Sequence, residues 1–145
     1  EIFRVSRNQV IFGGNYFTKY LPPTSAWVVW DKNNGESTFG DGELIWTSFK
    51  GALRIITINW TGSASLKEDT IGKIHPTQKP IAIVGYFIHK YTSRDDLILD
   101  PFMGSGTTIR ASKNLNRKCI GIEIEGKYCE IAAKRCSQSV MRLEV

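Results

Sequence analysis

Two acidic residues and a glycine-rich turn form the most chemically informative pattern in the chain. Asp100 ends one apolar run, Gly104-Ser105-Gly106 follows it, and Glu123 ends the next apolar run. Glycines in such a turn let the backbone approach a ligand where a Cβ would collide. Glu123 follows the first glycine by about 20 residues, a spacing at which an acid accepts hydrogen bonds from ribose hydroxyls. The pattern therefore predicts a site for a cofactor that contains a nucleoside.

The residues around the turn favour a cofactor without a diphosphate. A dinucleotide fingerprint has a third small residue three positions after the second glycine, but Ile109 stands there. Asp100 would repel a diphosphate and attract a cationic or amino-bearing ligand. S-adenosylmethionine has that character, since it carries a sulfonium and an ammonium group and no phosphate. A nicotinamide-dependent oxidoreductase is the alternative from a different class.

The second half of the chain contains the elements that must position this pattern. A helix is predicted to begin near Pro80 and to bury one face formed by Ile81, Val84, Ile88 and Tyr91. Apolar runs predict strands over residues 97–99 and 119–124, each followed by a helix, from the glycine turn to about 115 and over about 127–136. Short apolar strands that alternate with helices favour a mostly parallel sheet covered on both faces. The predicted fold class is therefore α/β.

The first half of the chain is rich in strand signals and poor in helix signals. The strand signals lie over residues 8–14, 27–30, 43–49 and 54–58. We expect a buried first strand, tryptophans of the middle strands in the core, and an extension of the sheet at one edge, partly antiparallel. Residues 59–74 are mostly small, polar or charged, so they are predicted to form an exposed loop.

The motifs resemble those of the DNA amino-methyltransferases, which act on N6 of adenine or N4 of cytosine. Asp100-Pro-Phe-Met-Gly-Ser-Gly-Thr-Thr108 is similar to the cofactor motif of that family, and His75-Pro-Thr-Gln-Lys-Pro80 to its segment at the methionine end of the cofactor. Gly121-Ile-Glu-Ile-Glu125 with Tyr128 resembles the ribose-binding acid and its helix. The order of these motifs matches the circularly permuted β-type. Asn15-Tyr16-Phe17 and Trp27-Val-Val-Trp-Asp31 are similar to the family's middle motifs.

The resemblance implies a Rossmann-like methyltransferase sheet, in one incomplete domain over residues 1–145, and S-adenosylmethionine as cofactor. The implied roles are Asp100 toward the methionine amino group, Phe102 and Gly104 along the nucleoside, and Glu123 on the ribose. The full set of implied cofactor-binding residues is His75, Thr77, Gln78, Lys79, Asp100, Phe102, Gly104, Ser105, Gly106, Thr107 and Glu123.

The sequence departs from the family at the catalytic motif. Family members carry Asp-Pro-Pro-Tyr or a close variant, and this chain has only Leu21-Pro-Pro-Thr24. In the permuted order that motif precedes everything seen here, so we expect a fragment that lacks N-terminal strands and name no catalytic residue. The favoured function is methylation of a flipped base, with N6 of adenine favoured over N4 of cytosine as the target. An inactive remnant or a DNA-binding module is the alternative.

The charge of the chain is compatible with double-stranded DNA as a partner. Lysine and arginine number 19 against 14 acids, which gives a net charge of +5. Residues 59–74 form a possible target-recognition region, and a solvated surface is the alternative for its charges. The candidate DNA contacts are Lys50, Arg54, Trp60, Lys67 and Lys73. The resemblance leaves a restriction endonuclease partner and a homodimer open.

The cysteines and the apolar runs indicate a protein of the cytoplasm. The three cysteines are widely spaced and form no Cys-x-x-Cys pair, so we expect reduced thiols and no metal site. Apolar stretches are too short to cross a bilayer, and no leader opens the chain, so no membrane association is expected.

Overall fold

The computed structural model of the protein describes residues 1–35, 40–60 and 78–137. The chain divides into two units, Glu1–Ser65 and Leu66–Val145. Glu1–Ser65 is the N-terminal unit and Leu66–Val145 is the C-terminal unit. Within the described ranges, no helix is both long and apolar enough to cross a membrane.

A four-stranded mixed sheet organises the N-terminal unit. Its strands occur in the order β1-β3-β2-β4, with β3 antiparallel to both of its neighbours and β2 parallel to β4. The elements of this unit are helix α1 (Ile2–Val5), strand β1 (Val10–Phe12), a 3-10 turn (Gly14–Phe17), and strands β2 (Val28–Asp31), β3 (Gly42–Thr47) and β4 (Arg54–Thr57).

The core of the N-terminal unit is formed by β2 and β3. Val28, Trp30 and Ile45 are almost completely buried, as the alternation of β2 predicts. The Trp30 indole N–H donates to the Ile58 carbonyl at 3.0 Å, so the ring is buried without an orphaned donor. Trp46 is buried as well, whereas β1 is half-buried rather than fully buried as predicted, because it lies at the edge of the sheet.

Helices and parallel strands alternate in the C-terminal unit, as the sequence predicts. The elements are helix α2 (Ile81–Tyr91), strand β5 (Leu97–Asp100), helix α3 (Thr107–Asn114), strand β6 (Lys118–Gly121) and helix α4 (Gly126–Ser137). Strands β5 and β6 are parallel, and Asp100 is opposite Gly121 at their carboxyl ends. Helix α3 packs against both α2 and α4.

Helix α2 buries two of the four residues of its predicted face, Val84 and Ile88. The predicted face included its terminal residues Ile81 and Tyr91, which are half-buried. The buried residues of α2 are Ile83, Val84, Phe87 and Ile88. The helix is apolar on nearly every side, so periodicity alone did not distinguish the side that meets α3.

The strands form two sheets in the described residues, and not the one sheet that the sequence pattern favoured. The second parallel strand is also shorter than predicted, since β6 ends at Gly121 and not at residue 124. Beyond it, the Ile122 N–H donates to the Asp100 carbonyl at 2.8 Å, and the Met103 N–H donates to the Ile122 carbonyl at 3.0 Å. The chain past β6 therefore pairs with the turn that follows β5.

The sheet of the C-terminal unit is covered on one face and bare on the other. Ile109 of α3 lies against the backbone of Gly121 on the covered face. Four apolar side chains of the opposite face are exposed, namely Leu97 (60%), Leu99 (37%), Ile120 (49%) and Ile122 (54%). The prediction of a sheet covered on both faces is therefore wrong for the described residues.

Candidate cofactor site

The glycine loop, residues 101–106, connects β5 to α3 at the carboxyl ends of the parallel strands. In open α/β sheets this is the side on which ligands bind. Asp100 stands at the tip of β5, and its Oδ1 accepts a hydrogen bond from the Phe102 N–H at 3.0 Å. This bond turns the chain out of the strand and starts the loop.

Glu123 joins the neighbouring strand to the glycine loop. Its Oε2 accepts a hydrogen bond from the Gly104 N–H at 2.9 Å, and its Oε1 accepts one from the Glu125 N–H at 2.9 Å. A carboxylate offers about four acceptor positions, so two backbone bonds do not exhaust it. The acids that the sequence singled out, Asp100 and Glu123, thus both hold backbone of this one turn.

Position 106 requires glycine for structural reasons that the sequence did not reveal. Its φ is +84°, a left-handed conformation that favours glycine, and it precedes the first residue of α3. A Cβ at this position would lie 2.6 Å from Ala132 Cβ and 3.0 Å from Ala132 Cα on α4. The missing side chain of Gly106 therefore accommodates α4, whereas the sequence had assigned both glycines to the approach of a ligand.

Ile109 fits because the strand beneath it carries a glycine. The bulk of Ile109 predicted an obstacle to close packing of helix on strand. A Cβ on Gly121 would lie 2.5 Å from Ile109 Cδ1 and 2.4 Å from Met103 Sδ. Close packing is thus achieved by a small residue on β6 instead of one on α3, and a glycine inside a predicted strand was the signal for it.

Polar side chains connect the glycine loop to the residues that precede α2. The Ser105 hydroxyl donates to Gln78 Oε1 at 3.2 Å, and the Thr107 hydroxyl donates to the Lys79 carbonyl at 3.3 Å. Ser105, Thr107 and Gln78 are less than a tenth exposed. The end of the His-Pro-Thr-Gln-Lys-Pro segment thus contacts the loop.

Two apolar side chains at this edge project into solvent. Phe102 in the glycine loop is 81% exposed, and Ile124, directly after Glu123, is 96% exposed. An exposed aromatic side chain such as that of Phe102 can pack against the face of a purine ring.

Most of the predicted cofactor residues lie together, and two lie outside the described residues. The residues that the structure brings together are Gln78, Lys79, Asp100, Phe102, Gly104, Ser105, Gly106, Thr107 and Glu123. His75 and Thr77 fall in the range 61–77, which is not described. Two buried arginines next to the loop, Arg110 and Arg135, were not among the residues predicted from the sequence.

Burial raises the pKa of one thiol, that of Cys119. Cys119 on β6 is half-buried, and desolvation raises its pKa, although a hydrogen bond with Ser112 acts in the opposite direction. The negative charge of Asp100 raises this pKa further. Cys119 is therefore a neutral thiol at physiological pH and a poor nucleophile.

The candidate DNA contacts in the described residues belong to the N-terminal unit. Lys50 and Arg54 are exposed. Trp60 is half-buried, and its ring lies 6.5 Å from that of Trp30, so part of its surface is used within the fold. Lys67 and Lys73, with most of the predicted loop over 59–74, lie outside the described residues.

An exposed aromatic turn in the same unit was not among the predicted sites. Tyr16 is 83% exposed and Tyr20 is 73% exposed, and Lys19 Nζ lies 5.6 Å from the centre of the Tyr20 ring. The signal for this surface was present in Asn15-Tyr16-Phe17, which the sequence analysis used for the resemblance alone.

Metal binding finds no support in the described parts of the chain. They contain no group of three or more histidine, cysteine, aspartate or glutamate side chains that could hold an ion. Cys119, Cys129 and Cys136 carry thiols rather than disulfides.

Comparison with known proteins identifies the family. The family model for N6/N4-type DNA methylases matches residues 18–134, which is most of the chain. The chain belongs to this DNA methylase family. The resemblance found in the motifs is thereby confirmed, and the elements of the structure confirm the α/β class that the sequence pattern predicted.

Curated relatives of this DNA methylase chain are type II methyltransferases. M2.LlaDCHI of Lactococcus lactis subsp. cremoris is 36% identical over 126 residues, which cover 86% of this chain and 46% of the relative. M2.MboI of Moraxella bovis is 35% identical over 83% of this chain and 44% of the relative. The chain thus spans less than half the length of these relatives.

Solved structures of DNA methyltransferases share the fold of this DNA methylase chain. The crystal structure of the M1.HpyAVI–SAM complex matches with a TM-score of 0.69 and 33% identity, over 90% of this chain and 74% of that one. The cytosine-N4-specific PvuII DNA methyltransferase matches with a TM-score of 0.58 and 21% identity, over 77% and 50% respectively. At that identity the second likeness concerns the fold alone.

Proposed function

We propose that this chain is the cofactor-binding part of a DNA amino-methyltransferase that uses S-adenosylmethionine. Adenine N6 is the favoured target and cytosine N4 the alternative. The observation that carries the proposal is the bond between the Glu123 carboxylate and the Gly104 N–H, next to Asp100 at the tip of the neighbouring strand. It places the two acids on one turn, as a nucleoside with a cationic side arm requires.

The residues present fit S-adenosylmethionine better than a dinucleotide. A dinucleotide places its pyrophosphate on the N-terminus of the first helix. In this chain Ala132 of α4 packs at Gly106, and the neighbouring Ser105 and Thr107 are buried, so the first turn of α3 offers little surface to a phosphate. The Asp100 carboxylate at the strand tip would also repel a diphosphate and attract an ammonium group.

Each described residue has a proposed role toward the cofactor. Asp100 accepts hydrogen bonds from the methionine amino group, and Glu123 accepts them from the ribose hydroxyls. Phe102 and Gly104 lie along the nucleoside, with the exposed Phe102 ring as one apolar wall. The residues proposed at the methionine end are His75, Thr77, Gln78 and Lys79, with Ser105, Gly106 and Thr107 completing the loop.

The bound cofactor supplies an electrophilic methyl group for direct transfer to the exocyclic amine of a flipped base. An amine conjugated to its ring is a weak nucleophile, so the complete site must hold it in line with the methyl group. No residue of this chain is assigned that task. We propose that the residue for this task belongs to a longer protein. The curated relatives are about twice as long as this chain, and the face of the β5–β6 sheet that carries Leu97 and Ile120 is exposed in the described residues.

The 145-residue chain is expected to bind S-adenosylhomocysteine, and Glu123→Ala is expected to weaken that binding about tenfold. The loss follows from removing an acceptor for ribose hydroxyls and the bond that holds Gly104, interactions that contribute about 1.5–3 kcal/mol when a charge is involved. Isothermal titration calorimetry measures both dissociation constants, after circular dichroism has shown that both proteins are folded.

The same titration with NAD separates the two cofactor classes. Glu125→Ala is a matched control, because it removes a neighbouring acid whose backbone, and not its side chain, bonds Glu123. Tighter binding of NAD than of S-adenosylhomocysteine would overturn the proposed function. An unchanged dissociation constant in Glu123→Ala would remove the ribose role from this acid.

We further propose that the N-terminal unit contacts double-stranded DNA through Lys50 and Arg54, with Trp60, Lys67 and Lys73 as additional contacts. Replacing both Lys50 and Arg54 by glutamine is expected to weaken DNA binding and to reduce the slope of log K against log salt by about 2. Fluorescence anisotropy with a DNA duplex at several salt concentrations measures this slope. Lys90→Gln, which removes an exposed charge of α2, should leave the slope unchanged, and an unchanged slope in the double variant would contradict the contact.

The remaining proposals concern the whole protein. Residues 59–74 are a proposed target-recognition region within a single methyltransferase domain, and a restriction endonuclease and a second copy are its proposed partners. The cysteine thiols support the cytoplasm as location. The upstream reading frame decides between an enzyme and a remnant, since an enzyme requires an Asp-Pro-Pro-Tyr motif or a close variant there.

A further inference from the structure

A buried arginine of the last described helix is bonded to the centre of the glycine loop. Arg135 lies in the final turn of α4 and is 0% exposed. Its Nη1 donates to the Ser105 carbonyl at 2.7 Å and to the Ser105 hydroxyl oxygen at 3.0 Å. One guanidinium thus binds both the backbone and the side chain of a single loop residue.

The residue that Arg135 binds lies between two glycines. Ser105 stands between Gly104, with φ +52°, and Gly106, with φ +84°. Glycine loses more conformational entropy on ordering than any other residue, so this segment is costly to hold in one conformation. A bond to its middle residue from outside the loop restricts both glycines at once.

Arg135 is itself fixed by a second arginine. Arg110 on α3 is buried, and its Nη1 donates to the Arg135 carbonyl at 2.7 Å. On the other side, the Ser105 hydroxyl donates to Gln78 Oε1 at 3.2 Å. Helix α4 and the segment before α2 therefore both bond to Ser105, and α3 holds Arg135 through Arg110.

A buried guanidinium is a costly way to gain stability alone. Removing a charge of this kind from water costs several kcal/mol, which its hydrogen bonds must offset, and an apolar side chain of similar volume often packs as well. The C-terminal end of a helix favours a cation, but a surface position there would do so without burial. The cost is explained if the charge-assisted bonds to Ser105 fix a geometry that function needs.

We propose that Arg135 is a positioning residue that holds the glycine loop in its cofactor-binding conformation. The inference rests on the proposed function, because the loop must bind S-adenosylmethionine for its conformation to matter. Arg135 is assigned no contact with the cofactor. Glu123 fixes Gly104 and the cofactor directly, whereas Arg135 acts through Ser105.

Positioning and direct contact give different kinetic signatures. When a loop is competent for only part of the time, the apparent dissociation constant rises in proportion to the lost population. Arg135→Met is therefore expected to weaken S-adenosylhomocysteine binding at least tenfold through slower association, with the dissociation rate nearly unchanged. Arg135→Lys, which keeps a donor for the Ser105 carbonyl, is expected to restore affinity to within about threefold of the starting protein.

Arg117 provides a matched control in the same unit. Its guanidinium donates to the Leu115 carbonyl at 2.7 Å and to the Thr92 carbonyl at 3.0 Å, so it anchors a turn between helix and strand and not the glycine loop. Arg117→Met is expected to lower the urea midpoint of unfolding while leaving the dissociation constant unchanged. This variant separates lost stability from lost positioning.

The experiment measures calorimetric dissociation constants and stopped-flow rates for S-adenosylhomocysteine with the 145-residue chain and its variants. Slow association in Arg135→Met, rescue in Arg135→Lys and unchanged affinity in Arg117→Met support the proposal. A folded Arg135→Met with unchanged affinity, or one in which dissociation accelerates instead, overturns it. If Arg135→Met does not fold, Arg135→Lys tests the proposal instead. A loss of affinity of more than tenfold in Arg135→Lys then contradicts the proposal. Absence of binding in the starting protein would instead refute the proposed function itself.

Discussion

Replacing Gly106 by alanine is expected to lower the free energy of unfolding of the C-terminal unit by about 2–5 kcal/mol. A non-glycine residue at φ +84° costs about 1–2 kcal/mol, and forcing a methyl group into a filled space costs about 1–3 kcal/mol more. The added methyl would meet Ala132 Cβ and Cα, and the Cα belongs to the backbone of α4, so the helix itself must move. Urea unfolding followed by circular dichroism at 222 nm measures the change, because the long helices α2, α3 and α4 all belong to this unit.

Two other glycines separate the causes of this effect. Gly35 has φ +62° with nothing within 4 Å of an added Cβ, so Gly35→Ala isolates the conformational cost at about 1–2 kcal/mol in the N-terminal unit. Gly126→Ala meets open space at the start of α4 and should cost nothing. If Gly106→Ala loses no more unfolding free energy than Gly35→Ala, contact with Ala132 does not limit the position of α4.

Affinity should fall together with stability in Gly106→Ala, even at low temperature where the protein stays folded. Moving α4 displaces Arg135, whose bond to Ser105 is short and directional. The glycine loop therefore depends on a helix that begins only after Glu123. Unchanged binding of S-adenosylhomocysteine in folded Gly106→Ala would separate the packing of α4 from the site.

The predictable part of this site is the part that is local in sequence. Asp100, the glycines and Glu123 occur within one strand–loop–helix–strand segment, so their spacing alone indicates that they meet at one edge of a parallel sheet. The parallel pairing of β5 with β6 and the bond from Gly104 to Glu123 agree with that expectation. Local pattern was informative because the chain has few ways to connect two adjacent parallel strands.

The parts that sequence did not predict depend on contacts between distant segments. Arg135 follows Lys134 in the last turn of a helix, and nothing local distinguishes this buried arginine from the exposed lysine beside it. The prediction for α2 was right for Val84 and Ile88 but missed Ile83 and Phe87 for the same reason, since the helix is apolar on nearly every side and α3 decides which side is covered. The prediction of a single sheet was wrong because a strand signal in the sequence does not indicate which other strand it will pair with.

Replacing Gly121 by valine is expected to destabilise the C-terminal unit by about 1–3 kcal/mol, and a second change, Ile109→Ala, should recover part of that loss. The side chain of valine would occupy the space now filled by Ile109 Cδ1 and Met103 Sδ, which would lie 2.5 and 2.4 Å from an added Cβ. Both atoms are ends of flexible side chains, so shortening Ile109 to alanine relieves the clash in Gly121→Val. The clash in Gly106→Ala includes the Ala132 Cα, a backbone atom of α4, so no shorter side chain relieves it. Ile109→Ala alone costs stability through lost packing.

The double variant moves the small residue from the strand to the helix, where a dinucleotide fingerprint has it. Urea unfolding of the four proteins gives the interaction free energy between residues 109 and 121, which we expect to be favourable by about 1–2 kcal/mol because the two side chains share one space. Additive losses would show that Met103, and not Ile109, limits the room at Gly121. Recovery of stability together with continued preference for S-adenosylhomocysteine over NAD would show that the third small residue of the fingerprint serves packing of helix on strand. Asp100 at the strand tip would then remain as the feature that selects the cofactor class.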